Sequence, residues 1–410
     1  MPEFLELLPP EDALVRLMRH LQRSDVPSEE IDTCQALGRV TVSAVISSEA
    51  LPAFNRSTVD GYAVLARDTF GCSESLPAYL TVAGEIPMGS TPAFKVDSGQ
   101  AGLIYTGGML PEGANAVVML EHTQIARQGE IEVLRPVAVG ENVLMAGEDV
   151  AAGQEVIPAG RVLRAAEIGG LMALGIVRVM VARRPLVGIL SSGDEVVDPQ
   201  QAPRPGQVRD INSFTLSALV EKHGGIPRRY GILPDRRDAL RESLARALDD
   251  CDLVVVTAGS SASTRDLTAD VINELGTPGV LVHGVNVKPG KPTILAVCGD
   301  KPVIGLPGNP VSALVIAGLF VVPVIERLLC QSGSFRPSVP ARLSVNIPSQ
   351  AGREDWVPVR LVASAGGWGA DPIFYKSNLI FTLAQADGLI HIPPDANGLE
   401  VGAEVSVFLM

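Results

Sequence analysis

Hydrophobic and polar positions along this chain follow a helical period, then a strand period, then a regular exchange between the two. From Pro10 to Gln22 the apolar residues Ala13, Leu14, Leu17, Met18 and Leu21 have the spacing of one buried helix face. A second helical or mixed piece is expected over Ser28 to Ala36, closed by Gly38, before the alternating, β-branched run Val40 to Val45. From Leu51 the pattern changes to short strands, with turns at Glu85-Ile86-Pro87, Gly107-Gly108 and Glu112-Gly113, which predicts a β-rich domain to Pro136. Helical spacing returns at Ala165 to Leu174, so the β-rich piece, residues 51–136, reads as an insertion. Residues 1–50 and 137–183 then form one discontinuous, helical or mixed N-terminal domain.

Residues 184–331 alternate strand and helix, the signature of a three-layer α/β domain with a parallel or mostly parallel sheet. Strands are expected at Leu186 to Leu190, Ile226 to Leu233 and Val254 to Val256. Between them lie a helix capped by Asn212 or Ser213 and running to His223, and a helix from Asp235 to Leu248. A further helix covers Leu267 to Leu275, and Asn309-Pro310 supplies an N-cap and a first-turn proline to the Val311 helix. In residues 332–410 only short strands recur, at Leu343-Ser344-Val345, Trp356 to Val362, Gly388 to Ile392 and Glu404 to Phe408, which predicts a C-terminal β-barrel. The fold class is therefore α/β multidomain.

Composition narrows the function. A net charge of −13 and 4% aromatic residues disfavour nucleic acid and anionic membrane as partners. The apolar run Val311 to Ile325 falls short of the ~20 residues of a membrane span and contains Pro323, so it reads as a buried helix. Five scattered cysteines without a CxxC point to reduced thiols and a cytoplasmic protein rather than zinc or an iron–sulfur cluster. Met1-Pro2-Glu3 has no basic leader, so no export signal is expected.

The chemistry-bearing residues fall where strands end. After Val254 to Val256 come Thr257-Ala258-Gly259-Ser260-Ser261, then Ser263, Thr264, Arg265 and Asp266 at the start of a helix, an arrangement that offers backbone N–H groups to an anion. Asp266 is either a helix cap or a ligand to a metal bridging to phosphate. Ser192-Gly193-Asp194-Glu195 and Asp235 follow two other strands, and carboxylates gathered at one sheet edge suit Mg²⁺. Lys288-Pro289-Gly290-Lys291-Pro292 holds two cations in a turn, either an oxyanion site or an exposed corner. Gly305 to Ser312, including Pro307, Gly308 and Asn309, is a second anion cradle without the Walker A pattern.

Taken in order, these motifs resemble the molybdopterin molybdenumtransferase family, to which the C-terminal domain of gephyrin belongs. The resemblance is carried by Leu51 to Val64 (LPAFNRSTVDGYAV), Tyr105-Thr106-Gly107-Gly108, Pro111 to Val118 and Ala146-Gly147-Glu148-Asp149-Val150. It continues through Ser192 to Glu195, the Lys288 turn, the Gly305 run, Gly352-Arg353-Glu354, Ser377 and Ala386 to Leu389. It implies a four-domain, elongated homodimer with its active site between subunits. The implied reaction takes adenylylated molybdopterin and molybdate to molybdenum cofactor and AMP, with Mg²⁺, and with the molybdopterin adenylyltransferase as a partner. Insertion of tungstate, or a non-catalytic molybdopterin-binding scaffold, are the alternatives.

By matching position, the resemblance gives catalytic roles to Asp60, Thr106, Asp149, Glu195, Asp235 and Asp266, with Glu195, Asp235 and Asp266 as metal ligands. Substrate binding is expected of Lys288, Arg353 and Ser377 by matching position, and of Gly259, Ser260, Ser261, Arg265, Lys291, Pro307, Gly308 and Asn309 from the anion-cradle loops and the lysine turn. Two departures stand out. The loop Ala258 to Ser263 departs from the family's usual glycine-rich loop, and the run Thr264 to Thr268 resembles instead the homologous loop of the molybdopterin adenylyltransferase domain. Gly284 stands where many relatives carry lysine, so either Arg265 or His283 supplies the missing cation or affinity for the oxyanion is lower.

Overall fold

The computed structural model describes residues 7–21, 26–258, 262–333, 336–364, 366–374 and 376–410, with the backbone alone at 258 and 262–265. Its centre is a six-stranded sheet ordered Ile226–Leu233, Leu186–Ser192, Leu253–Ala258, Lys301–Pro307, Ile294–Cys298, Pro278–His283. The apolar run at Val254 to Val256 serves both faces of that sheet. Val254 and Val256 pack with Leu240, Leu244, Val271 and Ile272, whereas Val255 packs with Leu216, Val220, Val311 and Val315. A strand covered by helices on both sides has no polar face, hence the unbroken β-branched sequence.

The sheet is mixed. Its first four strands in spatial order are parallel, and the last two pair antiparallel. The expectation of a parallel or mostly parallel sheet thus holds for the half that carries the strand-end loops. The tight Gly299-Asp300 turn reverses the chain between Ile294–Cys298 and Lys301–Pro307, which leaves only the antiparallel arrangement.

Several helix starts differ from expectation. The helix Asn212–Lys222 begins after Ile211 with no side-chain cap, and Asp210 instead accepts hydrogen bonds from Ser213 N (3.1 Å) and Oγ (2.6 Å). Asp235 does not open its helix, which runs Arg237–Asp250 after Arg236. The next helix, Ala262–Leu275, starts five residues before Leu267, so Asp266 lies inside it and is not its cap. Helical geometry runs through Pro323 from Pro310 to Leu328, 19 residues of mean hydropathy 2.1, long and apolar enough to cross a membrane by length and composition. Here 67% of its apolar window is buried, and Val311, Ile316, Phe320 and Val324 fill the core against the sheet.

The segment Ser28–Asp32, expected helical or mixed, is a strand followed by a 3₁₀ turn at Thr33–Gln35. It pairs antiparallel with Arg178–Ala182, a partner some 150 residues away that local periodicity cannot register. Between these paired segments stands the β-rich piece, a six-stranded sheet that includes Gly61–Val64, Gln100–Ile104 and Ala116–Met119. Gly61 is obligatory: a Cβ there would lie 1.9 Å from the Val118 carbonyl oxygen.

At the C-terminal end, Glu354–Ser364, Gly367–Pro372, Ser338–Leu343, Glu404–Leu409 and Gly388–Ile392 pair in turn and close back onto Glu354–Ser364, a five-stranded barrel. The strand expected at Leu343-Ser344-Val345 lies earlier, at Ser338–Leu343, ending where Ser344 begins a bend. One further strand joins this sheet from outside. Val287–Lys288, from the α/β region of the chain, pairs parallel with Glu354 and Asp355.

Candidate active site

That foreign strand forms the floor of a cleft of about 750 Å³ between the α/β sheet and the barrel. Pairing of Lys288 with Asp355 fixes the lysine backbone, and the buried Asp355 carboxylate holds its ammonium at 3.8 Å. Gly290, at φ +121°, carries the turn onto the Pro310 helix, where a Cβ would strike Ile316 at 2.2 Å. Lys291 is exposed at the cleft wall. From the barrel side Arg353 donates through Nε to Asp355 Oδ1 at 2.9 Å. Pro307, Gly308, Asn309 and Ser377 complete the lining.

Asn309 occupies the N-cap position but makes no side-chain cap bond. Its Nδ2 donates instead to Ser377 Oγ at 3.0 Å, while Val311 N–H donates to the Ser377 carbonyl at 3.1 Å. One N–H of this helix end is therefore already committed, and the anion donors of the cleft are chiefly Lys288, Lys291 and Arg353.

Gly308 and Asn309 also line an adjoining pocket of about 260 Å³, with Ser192, Glu195, Asp210 and Asn212. Asn212 Nδ2 donates to the Gly308 carbonyl at 2.8 Å and so fixes the shared turn. Beside the pocket, Asp235 has its Oδ1 buried without a hydrogen-bond partner. Burial, then the negative charges of Asp194 and Glu195, push the Asp235 carboxyl above its usual value, with Ser192 and the Asp194 contact pulling the other way. A buried carboxyl oxygen left without a partner is a hard donor of the kind a divalent cation takes. Asp266 is exposed and lines neither cavity. Among the described residues no three His, Cys, Asp or Glu side chains converge, so Glu195, Asp235 and Asp266 are not a preassembled three-ligand centre.

In the β-rich sheet Asp60 accepts from Thr106 N at 2.7 Å and Oγ1 at 2.9 Å, which holds its carboxyl below the usual range. Asp60, Thr106 and the exposed Asp149 line neither cavity of their own chain. Gly259, Ser260, Ser261 and the Arg265 side chain lie outside the described residues. Gly284 adopts φ +101°, a conformation lysine rarely takes, and neither it nor His283 lines the cleft. Sequence reasoning missed Asp355, Asp210 and the pocket role of Asn212. Asp355 had a signal: it follows Arg353 by two residues, and alternate strand residues share a face.

Comparison with known proteins agrees with this arrangement. Three family models match in order: "MoeA N-terminal region (domain I and II)" over residues 8–175, "Probable molybdopterin binding domain" over 188–327, and "MoeA C-terminal region (domain IV)" over 340–410. Fold and matches together define a multidomain transferase of molybdenum cofactor biosynthesis. The molybdopterin molybdenumtransferase of a Nostoc species is 33% identical over 94% of this chain and 89% of its own length. Molybdopterin molybdenumtransferase 2 of Mycobacterium tuberculosis is 31% identical over 91% of this chain and 93% of its own. The crystal structure of the molybdopterin biosynthesis moeA protein from Pyrococcus horikoshii superposes with a TM-score of 0.86 at 33% identity, covering 99% of this chain and 100% of that one. The chain belongs to the molybdopterin molybdenumtransferase family.

Proposed function

We propose that the chain inserts molybdate into adenylylated molybdopterin, releasing AMP and giving molybdenum cofactor in a Mg²⁺-dependent reaction in the cytoplasm. The observation that carries this reading is the pair of cavities sharing the Gly308-Asn309 turn, one lined by Lys288, Lys291 and Arg353 and the other by Glu195 and Asp210 with Arg209. Lys288, Lys291 and Arg353, with the Ser377 hydroxyl, bind the oxyanion and phosphate oxygens through charge-assisted hydrogen bonds. The Pro307-Gly308-Asn309 turn lets the substrate span both cavities.

Glu195 and Asp235 hold Mg²⁺, with Asp266, and the orphaned Asp235 Oδ1 supports this. Magnesium binds through a few carboxylates together with substrate phosphates, so the bound substrate would complete the ion's coordination. When bound, the ion neutralises charge on the pyrophosphate as its bond breaks. Asp60, Thr106 and Asp149 come from the partner subunit of a homodimer, which accounts for their distance from their own chain's cleft. Gly259, Ser260, Ser261 and Arg265 contribute from the strand-end loop, and the molybdopterin adenylyltransferase supplies the adenylylated substrate.

The test is anaerobic incubation with adenylylated molybdopterin, Mg²⁺ and molybdate or tungstate in turn, following AMP release. Release dependent on oxyanion and Mg²⁺ is expected, with the two oxyanions compared for preference. Binding of the pterin without release under any condition would make the chain a scaffold.

A further inference from the structure

We infer that Asp355 is the positioning residue of the cationic cleft, holding Arg353 and Lys288 together so that they meet one doubly charged oxyanion. This rests on the oxyanion reading given above and adds the residue that sets the geometry of that site.

Asp355 is a carboxylate with 4% of its side chain exposed, and buried charges persist when paired. Its partners are the two cleft cations. Arg353 donates through Nε to Oδ1 at 2.9 Å and through Nη2 to Oδ2 at 3.5 Å, and Lys288 Nζ stands 3.8 Å from Oδ2. Arginine has five N–H donors in a rigid fork. With Nε and Nη2 directed at Asp355, the other donors of the fork remain for a ligand. The Lys288 side chain is 58% exposed and would otherwise wander through solvent. The acid thus orients the Arg353 fork by hydrogen bonds and keeps the Lys288 ammonium beside it at ion-pair distance.

The backbone supports the same geometry. Lys288 and Asp355 are direct partners in the parallel pairing across the domain seam. Glu354 N–H donates to the Asn286 carbonyl at 3.1 Å, and the Asn286 amide donates to the Gly352 carbonyl. Charge balance is consistent as well. Lys288, Lys291 and Arg353 less Asp355 leave a net of two positive charges, equal and opposite to a molybdate dianion.

An Asp355→Asn change keeps the shape but places an amide NH₂ or a neutral oxygen against two cations, which then splay apart. The test is AMP release against molybdate concentration for the parent, Asp355→Asn, Arg353→Ala and the double variant. For Asp355→Asn the molybdate KM is expected to rise on the order of tenfold, the size of one lost charge-assisted contact, with kcat at saturating molybdate within about threefold of the parent. In the Arg353→Ala background the same change should add less than about threefold, because its action passes through Arg353. A merely structural role would lower kcat and give equal effects in both backgrounds, and either result overturns the proposal, as does an unchanged KM. If Asp355→Asn does not fold, Asp355→Glu keeps the charge but displaces it by one methylene. It should show the same rise in KM, and a parent-like KM there overturns the proposal. A parent without any molybdate dependence sinks the oxyanion reading together with this one. A molybdate-dependent parent with an unaffected Asp355→Asn sinks this one alone.

Discussion

The Asn309 amide donates to the Ser377 hydroxyl across 3.0 Å, joining the helix that fills the α/β core to the segment that leads into the barrel's last strands. The residue at a helix N-cap has been turned outward to tie two domains together at the mouth of their common cleft. Asn309→Ala should cost about 1 kcal/mol, the net worth of one such bond, read as a lower urea midpoint, and should reduce kcat/KM for AMP release. Asn309→Asp can accept from the Ser377 hydroxyl, so it should keep the midpoint yet lose turnover through repulsion of the anionic substrate. An unchanged midpoint in Asn309→Ala would mean that the bond is idle.

The raised carboxyl of Asp235 sets a pH dependence with a definite sign. An acid that holds its proton more tightly when folded favours the folded state at low pH. That advantage is lost as pH rises through the raised value, leaving the buried charge as a penalty above it. Without Mg²⁺, Asp235→Asn should therefore melt above the parent near pH 7, and the gap should close near pH 3, at about the ordinary carboxylate range. Mg²⁺ should raise the melting temperature of the parent and leave the variant where it was. Melting curves across this pH range, with and without Mg²⁺, decide it, and equal Mg²⁺ responses would remove Asp235 from the metal site.

Asp60 and Arg353 lie on different walls of the molecule, and only Arg353 lines the cleft of its own chain. If each site is completed by a partner subunit, Asp60→Ala and Arg353→Ala chains, each far less active than the parent at sub-saturating molybdate, should complement when exchanged. At equal mixing half the dimers are mixed and each has one intact site of two, so about a quarter of parental activity is expected. No recovery, with exchange verified by mass, would put Asp60 outside the site.

Gly284→Lys should not strengthen oxyanion binding. At φ +101° a lysine is strained, and the substitution should cost on the order of 1 kcal/mol or more. The molybdate dependence of AMP release and the melting temperature measure both effects. A lower molybdate KM at unchanged stability would restore the expectation that this position lacks a useful cation.

Much of the architecture was legible because burial dictates period. The Val254 to Val256 run and the Gly388 to Ile392 strand were placed by their apolar patterns alone. Helix starts were less legible, since periodicity reports where a face becomes buried and not where the backbone begins to turn. Ser263 to Asp266 read as the lead into a helix beginning at Leu267, although Ala262–Leu275 is one helix. Non-local pairing was invisible: Ser28–Asp32 becomes a strand only because Arg178–Ala182 lies beside it. At the site, Lys288 and Arg353 could be named from their motifs. The acid between them carried only its two-residue spacing from Arg353, and its role depends on two strands distant in the chain meeting side by side.

The strand Val287–Lys288 belongs to one domain by sequence and to another by hydrogen bonding. The barrel is a closed ring without it, yet a barrel lifted out alone would expose Trp356, which packs in the α/β core, and would leave behind part of the binding floor. Recombination among such proteins is therefore constrained. A barrel transplanted from a relative must match its host at Lys288 and Asp355, and new specificities should arise through changes in both parts together rather than by exchange of either one.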